Sequence, residues 1–164
     1  MKPDEFMGGQ FEWFTGIIKD IDDPKELNRV KVHCLGFYDG VTETDNLPWA
    51  TVVMPVTNAS IKGNGSNHHL EVGSWVVGFF RDGPSAQDPM VIGSIATQTD
   101  GTKDLPDEAS VDNKVYKSKS GHLIEIDNSD GDERVNVKHK SGSRITMNAD
   151  GTISIVASNI KLNA

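Results

Sequence analysis

The chain has 164 residues, enough for one ordinary domain or a small domain with an appendage. Its formal net charge of −8 argues against a free nucleic-acid binder, which needs a basic patch to neutralise phosphates. Cys34 is the only cysteine, so an internal disulfide and a cysteine-based zinc site are both excluded.

Charged residues make up 24% of the chain and hydrophobics 36%, which suits a soluble protein light on core-forming side chains. Aromatics are only 7%, and every Trp and Phe precedes residue 81, so the bulk of the core belongs to the first part. The stretch Met1-Lys2-Pro3-Asp4-Glu5 lacks the apolar run of a signal peptide, and no apolar run is long enough to span a bilayer. Synthesis in a cytoplasm, without secretion by the ordinary route, is expected.

Residues 13–21 are rich in β-formers, and residues 29–35 alternate, with Val30, Val32 and Cys34 on one side and Arg29, Lys31 and His33 on the other. Residues 22–28 form a turn with a proline start, so the two strands make a hairpin. A third strand is predicted around Trp49–Met54, and residues 57–69, polar and glycine-rich, form an exposed loop. A fourth strand covers Trp75–Arg81, a turn falls at Asp82-Gly83-Pro84, and a fifth strand covers Pro89–Ile95. Five short strands with no long helix predict a small closed barrel, of which the OB-fold is the five-stranded example.

Residues 98–114 contain few large apolar side chains and read as an extended linker. Beyond them the chain repeats itself. Residues 120–127 (Ser-Gly-His-Leu-Ile-Glu-Ile-Asp) are echoed by residues 141–148 (Ser-Gly-Ser-Arg-Ile-Thr-Met-Asn), and Asp130-Gly131 by Asp150-Gly151. Apolar pairs Ile124/Ile126, Val135/Val137, Ile145/Met147, Ile153/Ile155 and Ile160/Leu162 alternate with polar neighbours, which predicts short strands with one apolar and one wet face. Burying an Ile, Leu or Val contributes about 1.5–3 kcal/mol, while ordering a residue costs about 1–2 kcal/mol of backbone entropy. So narrow a stripe cannot hold its segment folded alone, and an oligomer that turns the stripes inward is required.

Several phrases, taken in order, carry a resemblance. They are Asp22-Asp23-Pro24 through Val32, Leu47-Pro48-Trp49-Ala50, Met54-Pro55-Val56-Thr57, Val72-Gly73-Ser74-Trp75-Val76 through Gly83, and Asp88-Pro89-Met90-Val91-Ile92-Gly93. Over roughly residues 11–97 the chain resembles the N-terminal OB domain of baseplate central spike proteins of contractile-tailed phages, a domain shared with VgrG proteins of type VI secretion. The Ser120–Asp127 phrase looks like the β-prism of the same spikes.

The resemblance implies an all-β chain with an OB-fold domain at residues 1–97, a linker at 98–114 and an intertwined trimeric β-prism or β-helix at 115–164. It implies a homotrimer whose axis is packed by Ile124, Ile126, Val135, Val137, Ile145, Met147, Ile153, Ile155, Ile160 and Leu162. The implied role is mechanical: a spike in a virion tail baseplate, or in a phage-like contractile injection particle, that docks to hub proteins and transiently pierces the target-cell envelope. Some such spikes carry a lysozyme domain between barrel and prism, for which the short linker here leaves no room, so no catalysis and no cofactor are expected. Others end in a His-x-His iron site. No such motif stands near this end, so residues Asn159, Ile160, Lys161, Leu162, Asn163 and Ala164 are expected to meet a PAAR-type tip protein.

Other chemistry finds little support. His139 stands alone in Lys138-His139-Lys140, His68-His69 lack a third ligand, and His33 and His122 have no partner at metal-site spacing. Arg29, Lys31 and His33 share a strand face, where an OB-fold could read single-stranded nucleic acid, but no aromatics are interleaved for stacking. A nucleic-acid-binding OB module is therefore the alternative, and a protein-contact or solvated face the expectation.

Overall fold

A computed structural model describes residues 12–99 and 101–161; Leu162, Asn163 and Ala164, named above for the trimer core or tip contact, lie outside the described residues. The chain divides into two compact units, with the division between Gln98 and Thr99. All described regular structure is β apart from two short 3-10 turns, Thr44–Asn46 and Gly83–Ser85.

The first unit holds strands β1 (Glu12–Asp20), β2 (Val30–Cys34), β3 (Trp49–Val52), β4 (Trp75–Phe80) and β5 (Pro89–Ile95). They close into a barrel in the order β1-β2-β3-β5-β4, with β3 and β5 parallel and every other pair antiparallel. This is the five-stranded closed barrel of an OB-fold. Alternation along each strand sends Phe14, Ile18, Val30, Val32, Cys34, Val76, Phe80 and Val91 inward, and closure leaves no unpaired edge. Phe80 is the hub of this core, packing against Phe14, Phe37 and Tyr38 at ring separations of 4.9, 4.8 and 5.9 Å.

Glycine is demanded where the barrel is tightest. A Cβ on Gly78 would lie 2.0 Å from the Met90 carbonyl oxygen and 2.5 Å from Phe14 Cζ, beside the irregular register between β4 and β5. The Cys34 thiol is buried in the same core, and that burial pushes its pKa up to about 12, so it remains a protonated small hydrophobe.

Residues 98–103 contain a two-stranded hairpin, β6 (Gln98–Thr99) with β7 (Thr102–Lys103). The second unit then builds a five-stranded antiparallel meander from β8 (Asn113–Lys117), β9 (Leu123–Asp127), β10 (Arg134–Lys138), β11 (Arg144–Met147) and β12 (Ile153–Val156). Three of its four turns follow one design, the longer β9–β10 turn being the exception. Ser118 N–H donates to His122 O, His139 N–H to Ser143 O and Asn148 N–H to Thr152 O, each closing a three-residue loop. The last loop residue is Gly121, Gly142 or Gly151, at φ +92°, +95° and +81°, which is why the Ser-Gly and Asp-Gly phrases recur.

Candidate assembly surface

On the barrel, the basic strand face proposed for nucleic acid or for solvent is already occupied. Arg29 Nη2 lies 2.5 Å from Asp23 Oδ1 and its Nε 3.0 Å from Oδ2. The Lys31 ammonium is buried over the Trp49 ring, 5.1 Å from its centroid, and reaches Asp45 at 3.3 Å and Asp20 at 3.8 Å. His33 Nε2 meets the Tyr38 carbonyl at 3.1 Å. These three side chains hold loops 20–29 and 38–46 against the barrel, so the face is neither a phosphate track nor solvated, as the alternation alone suggested.

Asp23 anchors the β1–β2 turn. The Arg29 guanidinium holds its carboxyl far below the usual carboxylate range against the opposing effect of burial, helped by backbone N–H groups of Lys25, Leu27 and Arg29. Beside it lies a polar depression of about 490 Å³ lined by Asp22, Glu26, Asn28, Asn67 and His69. In the glycine-rich loop, His69 Nε2 contacts Asn67 Nδ2 at 3.1 Å. Among the described residues no cluster of three or more His, Cys, Asp or Glu could hold a metal ion.

The second unit presents the more unusual surface. Strand registers place Tyr116, Ile124, Val137, Ile145 and Ile155 in one row across all five strands. Lys114, Ile126, Val135, Met147 and Ile153 form a second row beside it. The sequence reading missed β8, and with it Tyr116, because Lys114-Val115-Tyr116-Lys117 does not show the isoleucine and valine doublets of the later strands. The apolar members of both rows are exposed in the chain, from 38% at Val135 to 64% at Ile153. Ile160 follows β12 outside any strand and is also exposed.

The opposite face of the sheet is polar yet better covered. Glu125 and Leu123 are each only 5% exposed and Asp127 is 7%. Glu125 accepts hydrogen bonds from Asn113 Nδ2 at 2.8 Å, Asn136 Nδ2 at 3.3 Å and Arg134 Nη2 at 3.4 Å. Burial alone would push the Glu125 carboxyl up, but these three donors outweigh it and hold it below its ordinary value. Arg134 also pairs with Asp127 at 2.8 Å, and Asn136 Oδ1 accepts from Thr146 Oγ1 at 3.1 Å. The expected wet face therefore carries a hydrogen-bonded polar network around Glu125, in which Asn113 Oδ1 alone of the Asn113 amide atoms is left without a partner, and the expected apolar face is the one left open to solvent.

At one end of the open face, His139, solitary in the sequence and just past β10, packs against His122, just before β9, with ring centroids 4.5 Å apart and planes tilted by 53°. The pair prolongs the lines Ile126–Ile124 and Val135–Val137, and a cavity of about 310 Å³ opens among Tyr116, His122, Ile124, Val137 and His139. The two imidazoles are neighbours through sheet register, which linear spacing could not reveal.

Comparison with known proteins places this geometry. The family profile of the Gp5 N-terminal OB domain matches residues 35–161, more than half of the chain. Protein Gp5 of Vibrio phage KVP40 is 39% identical over 88 residues, covering 47% of this chain and 20% of the relative. The pre-baseplate central spike protein Gp5 of Enterobacteria phage T4 is 33% identical over 88 residues, covering 48% of this chain and 15% of the relative. The aligned segment thus spans a fifth or less of the length of either curated relative. With its closed five-stranded barrel and this match, the chain belongs to the Gp5 N-terminal OB domain family of baseplate central spike proteins.

Proposed function

We propose that this chain is a structural spike of a phage-type contractile tail baseplate, in which residues 115–164 of three copies wrap into a β-prism. The observation that supports it most is the open apolar face. Two rows of Ile, Val and Met side chains run across β9 to β12, one of them prolonged onto β8 by Tyr116, while the opposite face around Glu125 and Asp127 is covered and hydrogen-bonded. Each half-exposed side chain would contribute about 1 kcal/mol more on full burial, and a row of them left in water is an aggregation liability. Turned toward a common axis, the rows form a dry core, with Ile124, Ile126, Val135, Val137, Ile145, Met147, Ile153 and Ile155 packing it and Ile160 and Leu162 continuing it.

In this reading the barrel docks to ring-forming hub proteins, and the prism points at the target cell. Contraction drives it through the envelope, and the end at Asn159–Ala164 receives a PAAR-type tip protein. The chemistry required is stiffness and complementarity, with no bond made or broken. The nucleic-acid alternative is not favoured, since Arg29, Lys31 and His33 are engaged within the barrel.

Native molar mass by light scattering on a sizing column tests the reading. Three chains of 17.8 kDa give about 53 kDa. A stable monomer of one chain's mass sinks it. The tip assignment is tested separately: deleting residues 159–164 should abolish binding of the partner tip protein and leave the oligomer intact.

A further inference from the structure

The sheet that carries the open apolar face has two ends of opposite charge. The β8–β9 and β10–β11 turns lie at one end, and the β9–β10 and β11–β12 turns lie at the other. The first end bears Lys117, Lys119, Lys138, Lys140 and Arg144, with no carboxylate in residues 117–123 or 138–144, and one of the five, Lys117, is paired with Glu108 at 2.9 Å. The second bears Asp127, Asp130, Asp132, Glu133 and Asp150; of its cations, Arg134 is held by Glu125 and Asp127, and Lys114 stands beside Ile126, one residue in from the end. Lys138, Lys140, Arg144, Asp130, Asp132, Glu133 and Asp150 are all exposed. In a chain of net charge −8, five cations gathered at one end of a single sheet are not an average surface.

We infer that the basic end of one copy's sheet docks against the acidic end of the next copy's, so that charge sets the direction in which chains follow one another around the axis. This rests on the assembly proposed above and deepens it. Three features of the sheet support this occupant.

The first is complementarity of sign: a two-fold contact between equivalent ends would set lysine against lysine or aspartate against aspartate. A head-to-tail contact pairs unlike ends, and head-to-tail contacts that close make a ring. The second is spacing. At each end the two turns are separated by two strands, about 9.6 Å, and the two ends differ by a single strand, about 4.8 Å. Strands of about 17 Å, tilted by about 15° to the ring plane, bring basic turns level with acidic ones. The third is shape. Between the two acidic turns lies a groove of about 310 Å³ lined by Asp132, Glu133, Asn148 and Asp150, with Arg134, itself paired to Glu125 and Asp127, on its wall; three carboxylates against one paired cation leave it open to a lysine or arginine head.

The test uses the full chain and four variants. One reverses the basic end (Lys138→Glu, Lys140→Glu, Arg144→Glu), one reverses the acidic end (Asp130→Lys, Asp132→Lys, Glu133→Lys), and one carries both sets. None of the six residues donates or accepts a side-chain hydrogen bond that shapes a turn, and Asp150, which does, is left alone. A neutral variant (Lys138→Gln, Lys140→Gln, Arg144→Gln) guards against misfolding of the reversed chains, with circular dichroism reporting the fold.

Light scattering across a dilution series reads assembly. Each single-end reversal should weaken association by about 100-fold, and the doubly reversed chain should recover most of it. The neutral variant should associate more weakly than the parent in 0.1 M salt and lose most of the parent's salt sensitivity. Folded single-end variants that assemble like the parent overturn the inference while leaving the assembly reading standing. So does a folded doubly reversed chain that fails to recover. A monomeric parent overturns both at once.

Discussion

The barrel and the five-stranded sheet meet the same problem, an apolar face on a β-sheet, and solve it in opposite ways. The barrel curls β1 to β5 until the sheet meets itself, so that Ile18, Cys34, Ala50 and Val76 lose all contact with water. The later sheet stays open and keeps Ile124 and Ile145 about half exposed. Aromatics explain part of the difference. Phe14, Tyr38 and Phe80 fill the barrel's interior from one chain, with the partly exposed Phe37 packed against Phe80, whereas the open face of the sheet has mainly isoleucine, valine and methionine, with Tyr116 its one aromatic beside the two histidines, and covers only one layer. The barrel thus buries its apolar side chains within one chain, whereas the sheet buries its polar network and leaves its apolar side chains in water.

The sharpest way to break that comparison is Ile145→Asp. In an isolated sheet this position is half open, and a carboxylate there would be solvated at little cost, within about 0.5 kcal/mol. If the face packs around an axis, the same change buries like charges together and assembly should be lost entirely. Sedimentation or light scattering decides. A variant that keeps the parent's mass and stability would mean that the face remains in water.

Next in size is a lesion in the barrel. Phe80→Ala removes the ring on which Phe14, Phe37 and Tyr38 converge and should cost about 3–5 kcal/mol in chemical denaturation. Because that core is complete within one chain, the loss should not depend on protein concentration. A concentration-dependent effect would mean that the barrel, too, is finished by a partner.

The two units were also unequally legible in the sequence. The barrel strands could be read because turn residues punctuate them: Pro24 within the β1–β2 turn, Pro48 before β3, Asp82-Gly83-Pro84 after β4. Alternation gave the buried set of β2, yet it misplaced Lys31, whose burial depends on Trp49 and Asp45, residues 14 and more positions away. In the second unit the doublets of Ile and Val announced the strands. What stayed hidden was everything set by register: β8 with Tyr116, the packing of His122 against His139, and the gathering of Lys138 and Arg144 at one end with Asp130 and Glu133 at the other. Register joins residues that linear spacing keeps apart.

Acid should unfold the chain through named carboxylates. In the folded state Asp23 is held well down by the Arg29 hydrogen bond, Asp127 by Ser129, and Glu125 by Asn113, Arg134 and Asn136 against its own burial. A carboxylate whose folded pKa lies below its unfolded value, near 3.9 for Asp and 4.3 for Glu, adds stability above that unfolded value. The stability is lost as pH falls through the folded pKa. Denaturation free energy should therefore be flat from about pH 7 to 5 and decline below about pH 4. Asp23→Asn should lower the neutral plateau and shallow the acid slope. An unchanged slope would show that the Arg29 pair is not the acid-sensitive contact of the barrel.

The smallest expected effect probes how well the barrel's polar atoms are satisfied. The Tyr38 hydroxyl is buried and donates to the Ala86 carbonyl, tying the loop after β2 to the Gly83–Ser85 turn. Tyr38→Phe deletes that donor while keeping the ring against Phe80. Were Ala86 O left bare, the cost would reach about 1–3 kcal/mol, but Gln87 Nε2 already donates to it at 3.2 Å. The expected loss is therefore about 0.5–1.5 kcal/mol, read from the shift in denaturation midpoint with an unchanged slope. A double variant with Gln87→Ala should lose more than the two single changes combined, because only then is the carbonyl stripped of both donors. Strict additivity would mean that water reaches Ala86 O and that this corner of the barrel is less closed than Phe80 and Val76 make it.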